Sequence, residues 1–248
     1  MICAVLAAGY ATRLYPLTEN FPKPLLKVGD RSILDWLLSD VDAKFDISKY
    51  VVISNHKFAG HFREWAANAQ YSAPVEVIDD GTESNETRLG AVRDVQFAID
   101  RLGIDDDMLV LAGDNVLDFS LGAFGDYYRQ KGTSCMLRYH ETDIARLRKS
   151  GVLLTDENDL VIRMEEKPAE PFAEWCAPPF YIYARRDLPL VKAAIDSGCN
   201  VDAPGSFMAY LAANTRVHAM IMPGKRYDIG NLESYARACE DYKGITEG

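Results

Sequence analysis

The sequence predicts an α/β protein: a mixed, mostly parallel sheet flanked by helices, extended by antiparallel strands. Three observations predict it. Apolar strand-like runs alternate with helix-period stretches through the first half of the chain. After Gly132 the rhythm changes to short strands with short connections. The first apolar run, Ile2 to Ala8, stops at a small-residue turn, the place where open α/β sheets hold ligands.

The elements follow in order. Ile2–Ala7 reads as a strand, and Ser32–Lys44 as a helix with Ser32 as N-cap and Asp35 three residues on. Tyr50–Ser54 is a strand, Phe58–Ala69 a helix, Pro74–Asp79 a strand, Arg88–Leu102 a helix and Met108–Ala112 a strand. In the second half Thr133–His140, Gly151–Thr155, Leu160–Glu166 and Pro179–Ala184 read as strands, with a hairpin turn over Asp156-Glu157-Asn158-Asp159. Helices are expected at Asp187–Ser197 and Ser206–Ala213, then a strand at Val217–Met222 and a helix at Asn231–Lys243. With no repeat and no low-complexity linker, one domain over 1–248 is expected, with lobes 1–130 and 131–248.

Composition narrows the functional classes. The chain has 248 residues, 48% hydrophobic and 26% charged, enough for a sizeable core. Its formal net charge of −10 disfavours nucleic acid or an anionic membrane as a bulk partner. No stretch approaches the roughly 18 apolar residues of a membrane helix. No basic stretch precedes Ile2, so a secretion signal is not expected there. Cys3, Cys135, Cys176, Cys199 and Cys239 are odd in number and lack zinc-like spacing; reduced thiols and a cytoplasmic location are expected.

The chemistry begins at residue 6. Leu6-Ala7-Ala8-Gly9-Tyr10-Ala11-Thr12-Arg13 leads to Pro22-Lys23-Pro24-Leu25-Leu26. Small residues let main-chain N–H groups approach phosphate oxygens, and Arg13 and Lys23 can neutralise them. Gly113-Asp114-Asn115 directly follows a strand, and Tyr227-Asp228-Ile229-Gly230 follows the last one by a short loop. Two aspartates at such ends suit a hard divalent cation that keeps waters and substrate phosphates as further ligands. Glu165-Glu166-Lys167-Pro168 closes a strand of the second half. Neither the Gly-x-x-x-x-Gly-Lys-Ser/Thr loop nor Gly-x-Gly-x-x-Gly stands at the first turn.

Leu6–Leu26 resembles the signature of sugar-1-phosphate nucleotidylyltransferases, the NDP-sugar pyrophosphorylases: Leu-Ala-Ala-Gly-x-Gly-Thr-Arg-Leu-x-Pro-x-Thr-x-x-x-Pro-Lys-Pro-Leu. The three downstream motifs keep that family's order and about its spacing, so the resemblance spans nearly the whole chain. It implies a Rossmann-like nucleotide-diphospho-sugar transferase fold, with a nucleotide-binding lobe followed by a sugar-phosphate-binding lobe. It implies an NTP and a sugar-1-phosphate as substrates. Leu6, Ala8, Gly9, Tyr10, Ala11, Thr12, Leu89 and Gly90 would bind the nucleotide. Arg13 and Lys23 would be catalytic, binding the triphosphate and stabilising developing charge. Asp114 and Asp228 would hold Mg²⁺. Asn115, Gly151, Glu166 and Lys167 would bind the sugar phosphate. Relatives are often oligomeric, so a homo-oligomer is compatible with the resemblance, and no C-terminal remainder long enough for the β-helix lobe of some relatives is expected.

Two positions depart from the pattern. Ala11 stands where the family commonly has Gly, which stiffens the turn, and Arg226 stands near where relatives often place Trp. Leu89-Gly90-Ala91-Val92 matches the base-reading segment loosely, so the base stays open. Two other functions compete: a cytidylyltransferase acting on an alkyl phosphate such as phosphocholine, and a non-catalytic nucleotide or sugar-phosphate sensor. Glu166-Lys167 favours a sugar, since a quaternary amine calls for an aromatic or acidic cage. Taken singly, Arg13 and Lys23 are ordinary loop cations and Asp114 an ordinary strand-end acid; their joint order gives them meaning. The acidic runs Asp79-Asp80 and Asp105-Asp106-Asp107 read as solvated loops, the four histidines as structural, and Phe180, Tyr181 and Tyr183 as core.

Overall fold

The computed structural model describes residues 1–246; Glu247 and Gly248 lie outside the described residues. In chain order the elements are β1 (Ile2–Leu6), β2 (Lys27–Val28), β3 (Arg31–Ser32), α1 (Ile33–Lys44), β4 (Lys49–Ser54), α2 (His56–Asn68), β5 (Val75–Asp79), α3 (Ala91–Leu102), β6 (Met108–Ala112), β7 (Asn115–Leu117) and α4 (Gly122–Lys131). There follow β8 (Ser134–His140), α5 (Ile144–Leu147), β9 (Gly151–Thr155), β10 (Val161–Glu166), β11 (Trp175–Ala177), β12 (Phe180–Tyr183), α6 (Leu190–Asp196), α7 (Gly205–Asn214), β13 (Val217–Ile221), β14 (Arg226–Asp228) and α8 (Leu232–Asp241). The expected class, a mixed sheet flanked by helices with an antiparallel part, is the one observed.

Two compact units interleave along the chain. The first comprises Met1–Arg88, Ala112–Gly125 and the chain from Pro223 onward. In it β1, β4 and β5 are parallel, with Ala4 opposite Val51 and Val52 opposite Val77. Cys3, Ala4, Val5, Val51, Val52 and Ile53 are fully buried. Such unbroken apolar runs mark strands covered on both faces. Helix α1 buries Ile33, Leu34, Leu37, Leu38 and Val41, one stripe at helical spacing. Ser32 caps it as expected, its hydroxyl accepting from the Asp35 N–H at 3.0 Å. Helix α2 begins two residues before the expected Phe58, because the Asn55 side chain accepts from the Phe58 N–H and caps it.

The second unit comprises Leu89–Leu111 and Asp126–Met222. Strands β6, β12, β8, β11, β9 and β10 follow one another antiparallel. Phe180 to Tyr183 are buried, as expected for core aromatics. The exception to the antiparallel run is β13, which lies parallel to β8 with Val217 opposite Ser134. Four strands and helices α5, α6 and α7 stand between β8 and β13 in sequence, so this parallel pair is joined by a long stretch of chain.

Further expectations shift. The helix expected from Asp187 starts at Leu190, after Pro189, while Arg185–Asp187 forms a separate 3₁₀ turn. The helix expected from Arg88 starts at Ala91, because Gly90 takes a φ of 92°. Asp228 lies not in a loop but on β14, which pairs with β7 and sets Asp228 opposite Asn115.

Candidate active site

In the first unit the turn after β1 is held from three sides. The Ala8 carbonyl accepts from Asn55 Nδ2 at 2.9 Å, the Tyr10 hydroxyl donates to the Thr82 carbonyl at 2.8 Å, and the Thr18 hydroxyl donates to the Ala11 carbonyl at 2.8 Å. Asn55 and Thr18 are fully buried. Neither was among the expected site residues; the available signal was a polar residue ending an apolar strand, and a threonine inside the opening motif. Between these anchors Gly9 and Thr12 are exposed, and a Cβ added to Gly9 would meet nothing within 4 Å. Leu6 closes β1 half-buried. Ala11 adopts left-handed backbone, φ 48° and ψ 39°, with its methyl against a cluster that includes Leu14, Val116 and Ile229. That conformation is costly for any residue but glycine.

The charged groups gather beside this turn. Lys23 Nζ donates to Asp114 Oδ2 at 2.8 Å and to the Ile229 carbonyl at 3.0 Å. The Ile229 N–H in turn donates to the Asp114 carbonyl at 3.0 Å. Asn115 is fully buried; its amide donates to Asp114 Oδ1 at 2.6 Å and its oxygen accepts from Arg226 at 2.8 Å. Arg226 also stands 3.8 Å from Asp228. Arg13 is exposed, its guanidinium about 4.0 Å from a Cβ built on Gly230. A cavity of about 100 Å³ lies here, walled by Gly9, Ala11, Lys23, Pro24, Gly113 and Asp114. Gly113 is closely covered: a Cβ would stand 3.1 Å from both Pro24 and Val5, so either neighbour would have to give.

The two aspartates differ in character. Burial alone would raise the Asp114 carboxyl, but the Lys23 ammonium overrides it and holds it below the usual carboxylate range. Asp228 is pushed up, by partial removal from water and by the facing charge of Asp114, against the pull of Arg226, Lys23 and Arg13. Two oxygen-donor carboxylates that repel each other suit a hard divalent cation. Among the described residues no cluster of three or more His, Cys, Asp or Glu could hold a metal, so the pair would leave most positions to water and phosphate. A larger groove of about 950 Å³ opens in the same unit near Phe21, Arg31, Trp65 and Tyr71. There the Asp35 carboxylate is taken by Ser32, Trp65 and Tyr71.

The second unit holds the remaining candidates. Glu166 ends β10 opposite Gly151, which begins β9. Burial raises its carboxyl, with Lys167 opposing. Lys167 is exposed, at a left-handed φ of 53°, its N–H bonded to the Ser150 carbonyl at 2.9 Å. Leu89 is half-buried beside Gly90, which lies so close to the Val201 carbonyl that a Cβ would stand 2.8 Å from it.

Fold and site geometry define an α/β protein whose first strand ends in a small-residue turn beside a cluster of opposed charges. The chain belongs to the nucleotidyl transferase family, whose model matches residues 3–244. It is 22% identical over 249 residues to the glucose-1-phosphate adenylyltransferase of Fervidobacterium nodosum, covering 95% of this chain and 59% of that protein. A Sulfolobus acidocaldarius protein named as a mannose-1-phosphate guanyltransferase is 31% identical over 186 residues, 73% of this chain and 48% of that one. The chain thus spans about half the length of the curated relatives it matches. The crystal structure of a UDP-glucose pyrophosphorylase complexed with UDP-glucose superposes with a TM-score of 0.79, at 17% identity and 96% coverage of both chains.

Proposed function

We propose that the chain is an enzyme that transfers a nucleotidyl group from a nucleoside triphosphate to a sugar-1-phosphate, releasing pyrophosphate and an NDP-sugar. The observation that carries this reading is the charge arrangement at the turn after β1: Lys23 on Asp114, Asp228 beside it and Arg13 exposed. The names of the relatives, which are those of hexose-1-phosphate and UDP-glucose enzymes, support it.

On this reading the main chain of Gly9–Thr12 lies along the triphosphate, with Leu6, Ala8, Tyr10 and Ala11 shaping the turn. A phosphate oxygen of the sugar-1-phosphate attacks the α-phosphorus in line, and pyrophosphate leaves. No nucleophilic side chain is required, because positioning and charge stabilisation carry this kind of transfer. Arg13 and Lys23 offset the repulsion between two anions and the charge building on the leaving group. Asp114 and Asp228 would hold Mg²⁺, which supplies further neutralisation of the phosphates. Asn115, engaged by Asp114 and Arg226, serves to orient those two groups rather than to meet the sugar. Gly151, Glu166 and Lys167 receive the sugar phosphate, Glu166 accepting from a sugar hydroxyl and Lys167 facing the phosphate. Leu89 and Gly90 flank the base, whose identity is open, as is the sugar's.

The five free cysteines fit a reducing, cytoplasmic setting. A matrix of five NTPs against sugar-1-phosphates and phosphocholine, scored for magnesium-dependent pyrophosphate release, tests the reading. Release with a hexose-1-phosphate is expected. Release with phosphocholine alone, or binding without release, overturns it in favour of the alkyl-phosphate enzyme or the sensor.

A further inference from the structure

The glycines around Glu166 are not interchangeable turn residues. Gly205 opens α7, and a Cβ built on it would overlap Glu166 Oε2 and stand 3.1 Å from Glu166 Cδ and 3.3 Å from the Tyr181 hydroxyl oxygen. A Cβ on Gly151 would stand 2.8 Å from the same carboxylate oxygen. Neither glycine has a left-handed φ. Backbone freedom therefore does not explain them; the missing side chains do. Both are buried, one at the start of β9 and one in the first turn of α7. Together they form a slot as deep as a carboxylate, and Glu166 fills it. The close fit of Glu166 Oε2 and Cδ against these two glycines constrains the direction of the carboxylate.

The geometry points to Gly205 as a positioning residue for Glu166: its missing side chain lets the carboxylate stand against the first turn of α7, and this sets where a sugar hydroxyl is accepted. The inference rests on the reading of Glu166 as the sugar contact. An added methyl there collides chiefly with the far end of the flexible Glu166 side chain, which swings aside, and presses on the Tyr181 hydroxyl by no more than a few tenths of an ångström. The damage falls on the direction of the carboxylate, and one charge-assisted hydrogen bond to substrate is worth about 10- to 100-fold in affinity.

The experiment compares wild type, Gly205→Ala, Glu166→Asp and the double variant. In Gly205→Ala the KM for the sugar-1-phosphate is expected to rise about tenfold or more, with the KM for the NTP within twofold and the melting temperature nearly unchanged. Because Asp is shorter by one methylene, its carboxylate clears the new methyl, and the double variant is expected to resemble Glu166→Asp alone. Multiplying effects, equal losses for both substrates, or an unchanged sugar KM would overturn the inference. A readout independent of turnover is the carbon-13 NMR titration of the Glu166 carboxyl. It is expected to titrate above the usual range in wild type and to fall back toward it in Gly205→Ala, where the group moves into water. An unmoved titration overturns the inference even if the enzyme is active. A moved titration in a protein that forms no NDP-sugar upholds the positioning and refutes the proposed activity. Should Gly205→Ala fail to fold, Gly151→Ala, directed at the same oxygen, takes its place with the same expectations.

Discussion

Lys23 occupies a carboxylate that a divalent cation would also need, and Lys23→Met exposes that competition. The ammonium lies 2.8 Å from Asp114 Oδ2, with 13% of the lysine side chain and 33% of the aspartate side chain exposed. A charge-assisted hydrogen bond contributes about 1.5–3 kcal/mol. Partial exposure places this pair near the lower end. Releasing Asp114 from that partner, and removing a cation next to Asp228, tightens Mg²⁺ binding by about 10-fold or more, since each 1.4 kcal/mol is tenfold. Turnover is expected to move the other way and fall by about 10²–10³-fold, because on the proposed reading a cation that offsets the leaving group's charge is gone. Calorimetric Mg²⁺ titration of the nucleotide-free protein reads the first effect, and pyrophosphate release the second. Mg²⁺ affinity that is unchanged or weaker in Lys23→Met refutes the argument that the lysine and the cation share Asp114.

Arg13→Ala is expected to lose about 10²–10³-fold in turnover while its denaturant midpoint stays put, because the exposed side chain supports no packing; a large stability loss would make Arg13 structural. Lowering pH should weaken Mg²⁺ binding before the usual aspartate range near 3.9 is reached. The raised Asp228 takes up its proton early, favouring the folded state at low pH and losing that advantage as pH rises through its folded value. The lowered Asp114 acts oppositely, stabilising above its unfolded value and ceasing to do so as pH falls through its folded one. Mg²⁺ affinity that is flat down to pH 4 contradicts the assignment. Gly90→Ala combines a φ of 92° with a Cβ 2.8 Å from the Val201 carbonyl, and should cost about 2 kcal/mol or more by denaturant unfolding; a neutral result would mean this loop relaxes freely. Ala11→Gly relieves about 1–2 kcal/mol of left-handed strain but gives up about 0.4–1 kcal/mol through the freer unfolded chain and a packed methyl worth roughly 0.8 kcal/mol. Its stability should shift by under about 1 kcal/mol, and a loss above about 2 kcal/mol would place the loop's order in that methyl.

Much of this was legible in the residues because local chemistry decides it. Ser32 caps α1 through Asp35, and Met108–Ala112 is a strand at the expected bounds. Elements whose existence depends on distant partners were not legible. Strands β7 and β14 have three residues each, too few to show a period, and form because they pair with one another. Helix α4, with two glycines and charged ends, and β11, amid prolines and acids, carry equally little local signal. Within the site, motif order pointed to Lys23, Asp114 and Asp228. It could not show that Asn115 turns inward, that Arg226 bridges Asn115 toward Asp228, or that Asn55 and Thr18 hold the first turn, since each depends on contacts across long separations.

The ladder between β7 and β14 has a consequence for biosynthesis. Asp114 leaves the ribosome long before Asp228, and until the later strand zips onto the earlier one the first acid faces Lys23 and Asn115 without its second carboxylate. On the proposed reading, the pair of acids is therefore complete only once nearly the whole chain has been made, and one three-residue stitch completes it.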